Sequence, residues 1–226
     1  MLYSNDQNGH LIYGRKEVTI INPILNNLKL EKQKLIINAA IKEFVKRGFE
    51  KASTNEIVKE ARISKGSLFN YFHSKKDLYI YLIEYGVQVI EDFYEQIDLS
   101  ETDLFKRIEN IGLQKLYIHK KFPHVFDFLA AAIQEESAEV KDMIKEKVDP
   151  VYDRGTELIY KHIDYSKFRE GIEIEKAIEI LNWTMFGFGE KGLHQINTFE
   201  DLHEFGEKYL EEWKGYTEIL KYSFYK

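Results

Sequence analysis

Residues 53–78 read STNEIVKEARISKGSLFNYFHSKKDL, and this stretch decides how the chain around it folds. Ser53 and Glu56 have the Ser/Thr-x-x-Asp/Glu spacing of a capping box, so a helix should begin here. Ser64 can cap a second short helix, and Ser74 precedes a long amphipathic run with the same capping-box spacing. Two short helices joined by about four residues predict a helix-turn-helix.

The second short helix carries candidate base-reading side chains on its outward face. Its apolar residues should face the core, and the polar residues that remain are Lys65, Ser67, Asn70 and Tyr71. A helix of this kind fits the major groove of DNA, where an asparagine can bond adenine through two atoms. The sequence therefore predicts that this helix reads base edges.

The starts of the three helices are candidate phosphate sites. N–H groups at a helix N-terminus lack intrahelical partners and carry the positive end of the helix dipole, so they attract anions. Gly66 also allows close approach of the backbone. The predicted DNA-contacting residues at these starts are Ser53, Thr54, Ser64, Lys65, Gly66, Lys75 and Lys76. Such contacts position a protein on DNA, whereas base contacts specify the sequence.

A longer amphipathic helix precedes this stretch. Apolar residues recur with helical period from about residue 28, and Gly48 is the expected C-cap of that helix. Phe49 is expected to fill the small core that the three helices share.

The charge of the chain is unevenly distributed. The net charge is -6, yet residues 29–76 hold 12 Lys and Arg against 5 Asp and Glu, a balance of +7. Residues 1–28 are neutral, and residues 77–226 hold 18 basic against 31 acidic residues, a balance of -13. This asymmetry indicates a module that faces nucleic acid, joined to an acidic body.

The composition excludes several classes of protein. Hydrophobic residues make up 44% and charged residues 31% of the 226, an ordinary balance for a soluble chain. Only 3 prolines and 13 glycines favour an all-α fold, and the absence of cysteine excludes disulfides, thiolate catalysis and cysteine-ligated zinc. Glu190 and His194 have helical spacing but are expected to be a surface pair. No catalytic motif, metal site, cofactor or membrane span is expected, and the expected location is cytoplasmic.

The pattern T-x-x-I-x-x-x-A-x-I-S-K-G-S-L-F-x-Y-F-x-S-K-x-x-L over residues 54–78 resembles the N-terminal signature of the TetR family of transcriptional regulators. By this resemblance, the positions that touch DNA are Thr54, Lys65, Gly66, Asn70, Tyr71 and Lys75. Two residues depart from the family pattern. Phe69 replaces the usual tyrosine, and Arg62 stands where a glycine is usual, at a cost on the order of 1 kcal/mol if the turn requires a positive φ.

The resemblance implies an all-α, two-domain homodimer that binds a near-palindromic operator and a small effector. The helix-turn-helix domain is expected at residues 29–76 and the effector-binding and dimerisation domain at 77–226. Repression relieved by ligand is the usual direction in this family. Residues 1–28 lack helical period, and their interpretation stays open between a flexible extension, an arm on the body or in a minor groove, and an over-extended start.

The resemblance also implies a ligand cavity among the helices of the body. The candidate lining residues are Tyr85, Val89, Phe93, Leu113, Tyr117, Phe126, Leu129, Met143, Tyr152, Trp183 and Phe186. Their character indicates a mostly apolar or aromatic effector that tyrosine hydroxyls orient. The alternative for each residue is an ordinary place in the core.

The last two helices are expected to pair with those of a second subunit. The candidate interface residues are Ile174, Ile178, Leu181, Met185, Phe188, Leu202, Phe205, Tyr209, Trp213, Tyr216 and Leu220. The alternative is that these stripes face the core of their own subunit. For the whole protein, the competing hypothesis is a TetR-shaped coregulator that docks a partner protein and does not bind DNA specifically.

Overall fold

The computed structural model describes the main chain of residues 4–5, 11–12, 25, 27–196 and 202–226, and the side chains of 25, 27–119, 121–192 and 205–226. Within these residues the chain forms nine α-helices, which confirms the predicted all-α class. They are α1 (Leu30–Lys51), α2 (Thr54–Glu60), α3 (Lys65–Tyr71), α4 (Lys75–Tyr94), α5 (Leu104–Lys121), α6 (Val125–Ile133), α7 (Lys141–Tyr160), α8 (Ile174–Ile196) and α9 (Leu202–Phe224). A 3-10 turn spans Tyr165–Lys167.

Two short strands lie near the start of the chain. Strand β1 (Ser4–Asn5) pairs antiparallel with β2 (Leu11–Ile12), with Ser4 opposite Ile12. The rest of the predicted extension, residues 1–28, lies mostly outside the described residues. In the described part of the chain, none of the helices combines the length and apolar character needed to cross a membrane.

The fold divides into two compact units. The first comprises Met1–Asp92 with His124–Asp149, and the second comprises Phe93–Pro123 with Pro150–Lys226. The first unit therefore holds α6 and the start of α7 together with the helix-turn-helix. The division at residue 76 that the sequence predicts remains a prediction about functional domains.

The core of the first unit is a cluster of aromatic rings. Phe44 meets the edge of Tyr79 at 4.8 Å between ring centroids, and Phe49 lies 5.1 Å from the same ring. Phe49 is buried, as predicted. Phe128 of α6 joins the cluster at 5.4 Å from Tyr79. Each such pair contributes about 0.5–1.5 kcal/mol beyond the burial of its apolar area, so α6 is an integral part of this core.

The core of the second unit lies among α5, α8 and α9. Helix α9 packs against both α5 and α8. Phe188 of α8 lies 5.1 Å from Trp213 of α9 between ring centroids, and both side chains are buried. Phe105 and Phe224 are buried in the same cluster.

Helix α5 begins at Leu104, after a short turn in which the Ser100 hydroxyl donates to Asp98. Asp103 is the N-cap, because its carboxylate accepts the N–H groups of Phe105 and Lys106 at 3.1 and 3.2 Å.

The turn between α2 and α3 places an arginine in a left-handed conformation. Arg62 has φ 54°, the region that glycine occupies without cost. Arg62→Gly should therefore raise the free energy of unfolding by about 1 kcal/mol, because relief of the left-handed strain exceeds the extra freedom of glycine in the unfolded chain. Urea denaturation measures this change. Arg62→Ala is the control, since it removes the charge and keeps the Cβ atom; equal stability of the two variants would contradict the prediction.

Candidate functional site

The helix-turn-helix forms where the sequence predicts it. Four residues, 61–64, separate α2 from α3. The Ile63 N–H donates to the Val58 carbonyl at 3.0 Å and closes the turn. Ile57 of α2 and Leu68 of α3 are buried against the core and fix the two helices by their apolar sides. The opposite side of α3 faces the solvent.

Helix α3 presents the predicted base-reading residues together. Lys65, Gly66 and Asn70 are exposed, whereas Ser67 and Tyr71 are half-buried. The Lys65 ammonium lies 6.0 Å from the centroid of the Phe69 ring, within reach of a cation–π contact. Among the described residues, a Cβ atom added at Gly66 would come within 4 Å of the Ser64 hydroxyl alone, at 3.9 Å. The main chain at Gly66 is therefore open to a close approach from outside.

The start of α3 is capped as predicted. The Ser64 hydroxyl accepts the Ser67 N–H at 3.0 Å and lies 2.9 Å from the Ser67 hydroxyl. A serine hydroxyl has one donor and two acceptor positions. Both serines can therefore keep this cap and still offer a further hydrogen bond.

The prediction of a capping box between Ser53 and Glu56 at the start of α2 is wrong. Helix α2 begins at Thr54, but the Ser53 side chain makes no capping hydrogen bond. The Ser53 N–H donates to the Glu43 carboxylate of α1 at 3.0 Å, so Glu43 takes the role expected for Glu56. Ser53 and Thr54 are half-buried at this helix start.

The start of α4 differs from expectation at Lys75. Ser74 caps the helix as predicted, since its hydroxyl accepts the Asp77 N–H at 3.0 Å. The Lys75 ammonium donates to the carbonyls of Glu50 and Ala52 at 2.9 and 3.4 Å. It also lies 4.8 Å from the centroid of the Phe49 ring. Lys75 therefore binds the end of α1 in its own subunit.

The predicted ligand-lining residues divide between the two units. Tyr85, Val89, Phe126, Leu129 and Met143 belong to the first unit; Phe93, Leu113, Tyr117, Tyr152, Trp183 and Phe186 belong to the second. Val89, Phe93 and Leu129 are buried. Trp183 and Phe186 are 69% and 74% exposed, which corrects their assignment to an enclosed pocket of their own subunit.

Sequence reasoning missed a tyrosine of the second unit. A Cβ atom added at Gly155 would lie 2.1 Å from the Tyr94 hydroxyl, so α7 accommodates this ring only because it has a glycine there. Burial raises the pKa of Tyr94 to about 12, and the nearby Tyr152 adds to the effect. Gln114 of α5 is also buried, and its side-chain N–H donates to the Gln96 carbonyl at 3.3 Å. The spacing of polar residues within α4 and α5 predicts neither the contact of Tyr94 with Gly155 nor the hydrogen bond of Gln114 with Gln96.

The predicted interface residues differ in how far they are buried. Leu181, Phe188, Phe205 and Trp213 are buried in their own subunit, which corrects their assignment to a partner-facing surface. The partly buried residues are Ile174, Ile178, Met185, Tyr209 and Leu220, and Tyr216 is 40% exposed. The side chain of Leu202 lies outside the described residues.

Another apolar stripe on the same two helices is exposed. We call it the α8–α9 outer stripe; its members are Ile180, Trp183, Phe186, Tyr216, Ile219 and Tyr222. Their exposed fractions run from 40% at Tyr216 to 85% at Tyr222. A Cβ atom added at Gly187 or Gly215 would meet nothing within 4 Å in the described part of the chain. Exposed aromatic side chains beside small residues are typical of an interaction surface.

Comparisons with known proteins agree with this organisation. Residues 36–82 match the sequence profile of the bacterial regulatory proteins of the tetR family. The HTH-type transcriptional regulator YuxN of Bacillus subtilis is 46% identical over 55 residues, which are 24% of this chain and only 19% of YuxN. A TetR family transcriptional regulator from Chloroflexus aurantiacus has a TM-score of 0.64 at 22% identity and covers 89% of this chain and 97% of its own.

A second solved structure has the same fold. The ketosteroid transcriptional regulator KstR2 of Mycobacterium tuberculosis has a TM-score of 0.55 at 15% identity, with 88% of this chain and 97% of KstR2 covered. The family profile covers the helix-turn-helix, and the shared fold extends over most of the described chain. Residues 36–82 thus form a helix-turn-helix domain of the tetR family, in a chain that has the fold of solved TetR regulators.

Proposed function

We propose that the protein is a homodimeric repressor that binds a near-palindromic operator and releases it when a small effector binds. The observation that carries this proposal is the outward face of α3. Lys65, Gly66 and Asn70 are exposed there, while the apolar side of the same helix is buried. The +7 charge of residues 29–76 supports it, because duplex DNA is a dense polyanion. The proposal places the protein in the cytoplasm and assigns it no catalytic role.

Two kinds of contact would give affinity and specificity. Lys65, Lys76 and the starts of α2 and α3 would hold phosphates, and Asn70 would read a base edge in the major groove. The exposed main chain at Gly66 supports close approach of α3 to the DNA. The operator itself can be obtained by selection of bound duplexes from a random-sequence DNA pool.

Asn70→Ala should relax base preference at one operator position in each half-site, whereas Lys76→Ala should weaken binding to all sequences about equally. A paired adenine contact contributes about 1–3 kcal/mol of discrimination. A lost phosphate contact should instead reduce the salt slope of binding by about 1. Fluorescence anisotropy against the selected operator and its single-base variants, at several salt concentrations, measures both effects.

Lys76 serves this comparison better than Lys75. Because the Lys75 ammonium bonds two carbonyls of its own subunit, Lys75→Ala would change the end of α1 as well as the surface charge. The assignment of Asn70 to base reading would be wrong if both Asn70→Ala and Lys76→Ala lowered affinity uniformly across the variants.

The α8–α9 outer stripe is the proposed dimer interface. Its six apolar or aromatic side chains are exposed in the isolated subunit, and the open glycines Gly187 and Gly215 would allow a partner helix to approach closely. Buried aromatic residues dominate the energy of protein interfaces. The stripe replaces the buried residues that the sequence pattern suggested for this role.

The proposed effector is mostly apolar or aromatic. Among the candidate lining residues of the first unit, Val89 and Leu129 are buried and supply apolar surface, and burial raises the pKa of Tyr85. A tyrosine ring combines apolar area with one hydroxyl that can orient a ligand. The name of KstR2, a ketosteroid regulator of the same fold, is consistent with this class. An effector that favours the conformation with lower operator affinity would couple the two sites by typically about 1–3 kcal/mol.

A further inference from the structure

Glu135, just beyond the end of α6, reaches the end of α1. Its Oε2 atom accepts the N–H of Phe49 at 2.7 Å, across 86 residues of sequence. Its Oε1 atom accepts the N–H of Ser137 at 3.0 Å. Both carboxylate oxygens therefore hold main-chain donors, and a half-buried carboxylate fixed in this way has a defined position.

The contact falls where α1 leaves its helical conformation. Gly48 has φ 70° and ψ 172°, and Phe49 is the next residue. A Cβ atom added at Gly48 would lie 3.2 Å from Glu135 Oε2, so the side chain approaches this backbone closely. Burial and the charge of Glu135 raise the pKa of Tyr79, which places the carboxylate near the aromatic core of the first unit.

We name residues 48–53 the α1–α2 corner, because this segment leads directly into the helix-turn-helix. The Ala52 N–H donates to the Gly48 carbonyl at 3.2 Å. Lys75 bonds the carbonyls of Glu50 and Ala52, and the Glu43 carboxylate accepts the Ser53 N–H. Within the described residues, side chains of α1 and α4 thus hydrogen-bond to the α1–α2 corner. Glu135, from the segment after α6, adds a further hydrogen bond to it.

We propose that Glu135 is a positioning residue for operator binding, whose carboxylate fixes the α1–α2 corner and thereby the orientation of α2 and α3. Residues of the sequence-predicted DNA-binding domain do not suffice for this orientation, since the acceptor for Phe49 comes from the segment after α6. The inference rests on the proposed function, because it concerns the operator affinity of the same helix-turn-helix.

Glu135→Ala should lower operator affinity about tenfold, which is about 1.4 kcal/mol, and leave affinity for unrelated DNA unchanged. Misoriented reading helices lose base contacts, whereas nonspecific binding depends mainly on charge and its salt slope. Glu135→Gln should retain most of the operator affinity, because its amide oxygen can still accept the Phe49 N–H. The probes are the duplex selected from a random pool and an unrelated duplex of equal length.

Glu136→Ala is the matched control. Glu136 is the next residue, its side chain is 80% exposed, and it pairs with Lys141 on the surface. This variant should bind like the wild type. Amide hydrogen exchange of the free protein adds a readout without DNA: the Phe49 N–H should exchange faster in Glu135→Ala than in Glu136→Ala.

The possible outcomes distinguish a failure of the positioning role from a failure of the proposed function. A wild-type protein that selects no duplex would overturn the proposed function and the positioning role with it. If the wild type binds its operator but Glu135→Ala keeps the ratio of specific to nonspecific affinity, only the positioning role is overturned. A parallel loss of both affinities would also overturn it, since a merely structural role would act that way.

Discussion

Arg107→Met is expected to lower the free energy of unfolding by about 3–5 kcal/mol. The Arg107 side chain is only 1% exposed, inside the core of the second unit. Its guanidinium donates to the carbonyls of Leu158 and Ile159 at 3.3 and 3.4 Å and to that of Leu99 at 3.1 Å. It also bonds the carbonyls of Glu101 and Lys161.

These bonds explain the size of the effect. Leu158 and Ile159 lie in the last turn of α7, whose final carbonyls have no intrahelical donor and carry the negative end of the helix dipole. Methionine would fill a similar volume but would leave the buried Leu158 carbonyl and the partly buried carbonyls around it without the hydrogen bonds of the guanidinium. Burial lowers the pKa of Arg107, while the charges of Glu101 and Asp98 oppose that shift.

Two further variants test the assignment in urea denaturation. Arg107→Lys keeps the charge but lacks the planar fork of donors, so it should recover only part of the loss. Lys106→Ala is the control, because Lys106 is the exposed neighbour on α5, and it should change stability by no more than about 0.5 kcal/mol. An Arg107→Met protein as stable as Lys106→Ala would show that these carbonyls do not depend on the guanidinium.

Trp183→Glu combined with Phe186→Glu is expected to convert the proposed dimer to monomers and to lower operator affinity at least about 100-fold. Both side chains are more than two-thirds exposed in the isolated subunit, so charge at these positions should spare its fold. In a dimer the two carboxylates would be buried without partners, at high cost. A monomer would bind half-sites singly and lose the roughly 10²–10⁴-fold gain of bivalent binding.

Light scattering after size exclusion measures the mass, and anisotropy measures the affinity. Ile133→Glu is the matched control, since Ile133 is 41% exposed on α6 of the first unit and should not alter the mass. A dimer that survives the double substitution would move the interface away from the α8–α9 outer stripe. If the wild-type protein is a monomer, the proposed homodimer is wrong.

Local signals made the helix-turn-helix predictable. Ser64 and Ser74 cap their helices as their spacing predicts, because a cap involves residues only three apart. Gly48 has the positive φ expected of a C-cap, but the prediction that α1 ends there is wrong, because α1 continues to Lys51 and its C-cap is Ala52. The cost foreseen for Arg62 also follows from a local rule, since the turn does place it at φ 54°.

Contacts between residues far apart in the sequence could not be predicted from such local patterns. The pairing of Glu135 with Phe49 spans 86 residues, and that of Arg107 with Leu158 spans 51, so neither has a spacing signature. Helices α8 and α9 are apolar on more than one side. Helical period therefore finds both the buried stripe with Phe188 and the exposed stripe with Trp183, and it cannot tell which of them faces a partner.

Sequence-specific, salt-dependent DNA binding is the most direct test of the central claim. Anisotropy of a duplex from upstream of the protein's own gene, against a scrambled duplex of equal composition, should show much tighter binding of the first. The affinity should fall steeply between about 50 and 200 mM salt, as phosphate contacts require. Equal affinity for the two duplexes, or no binding at low salt, would contradict the account and favour a coregulator that docks another protein.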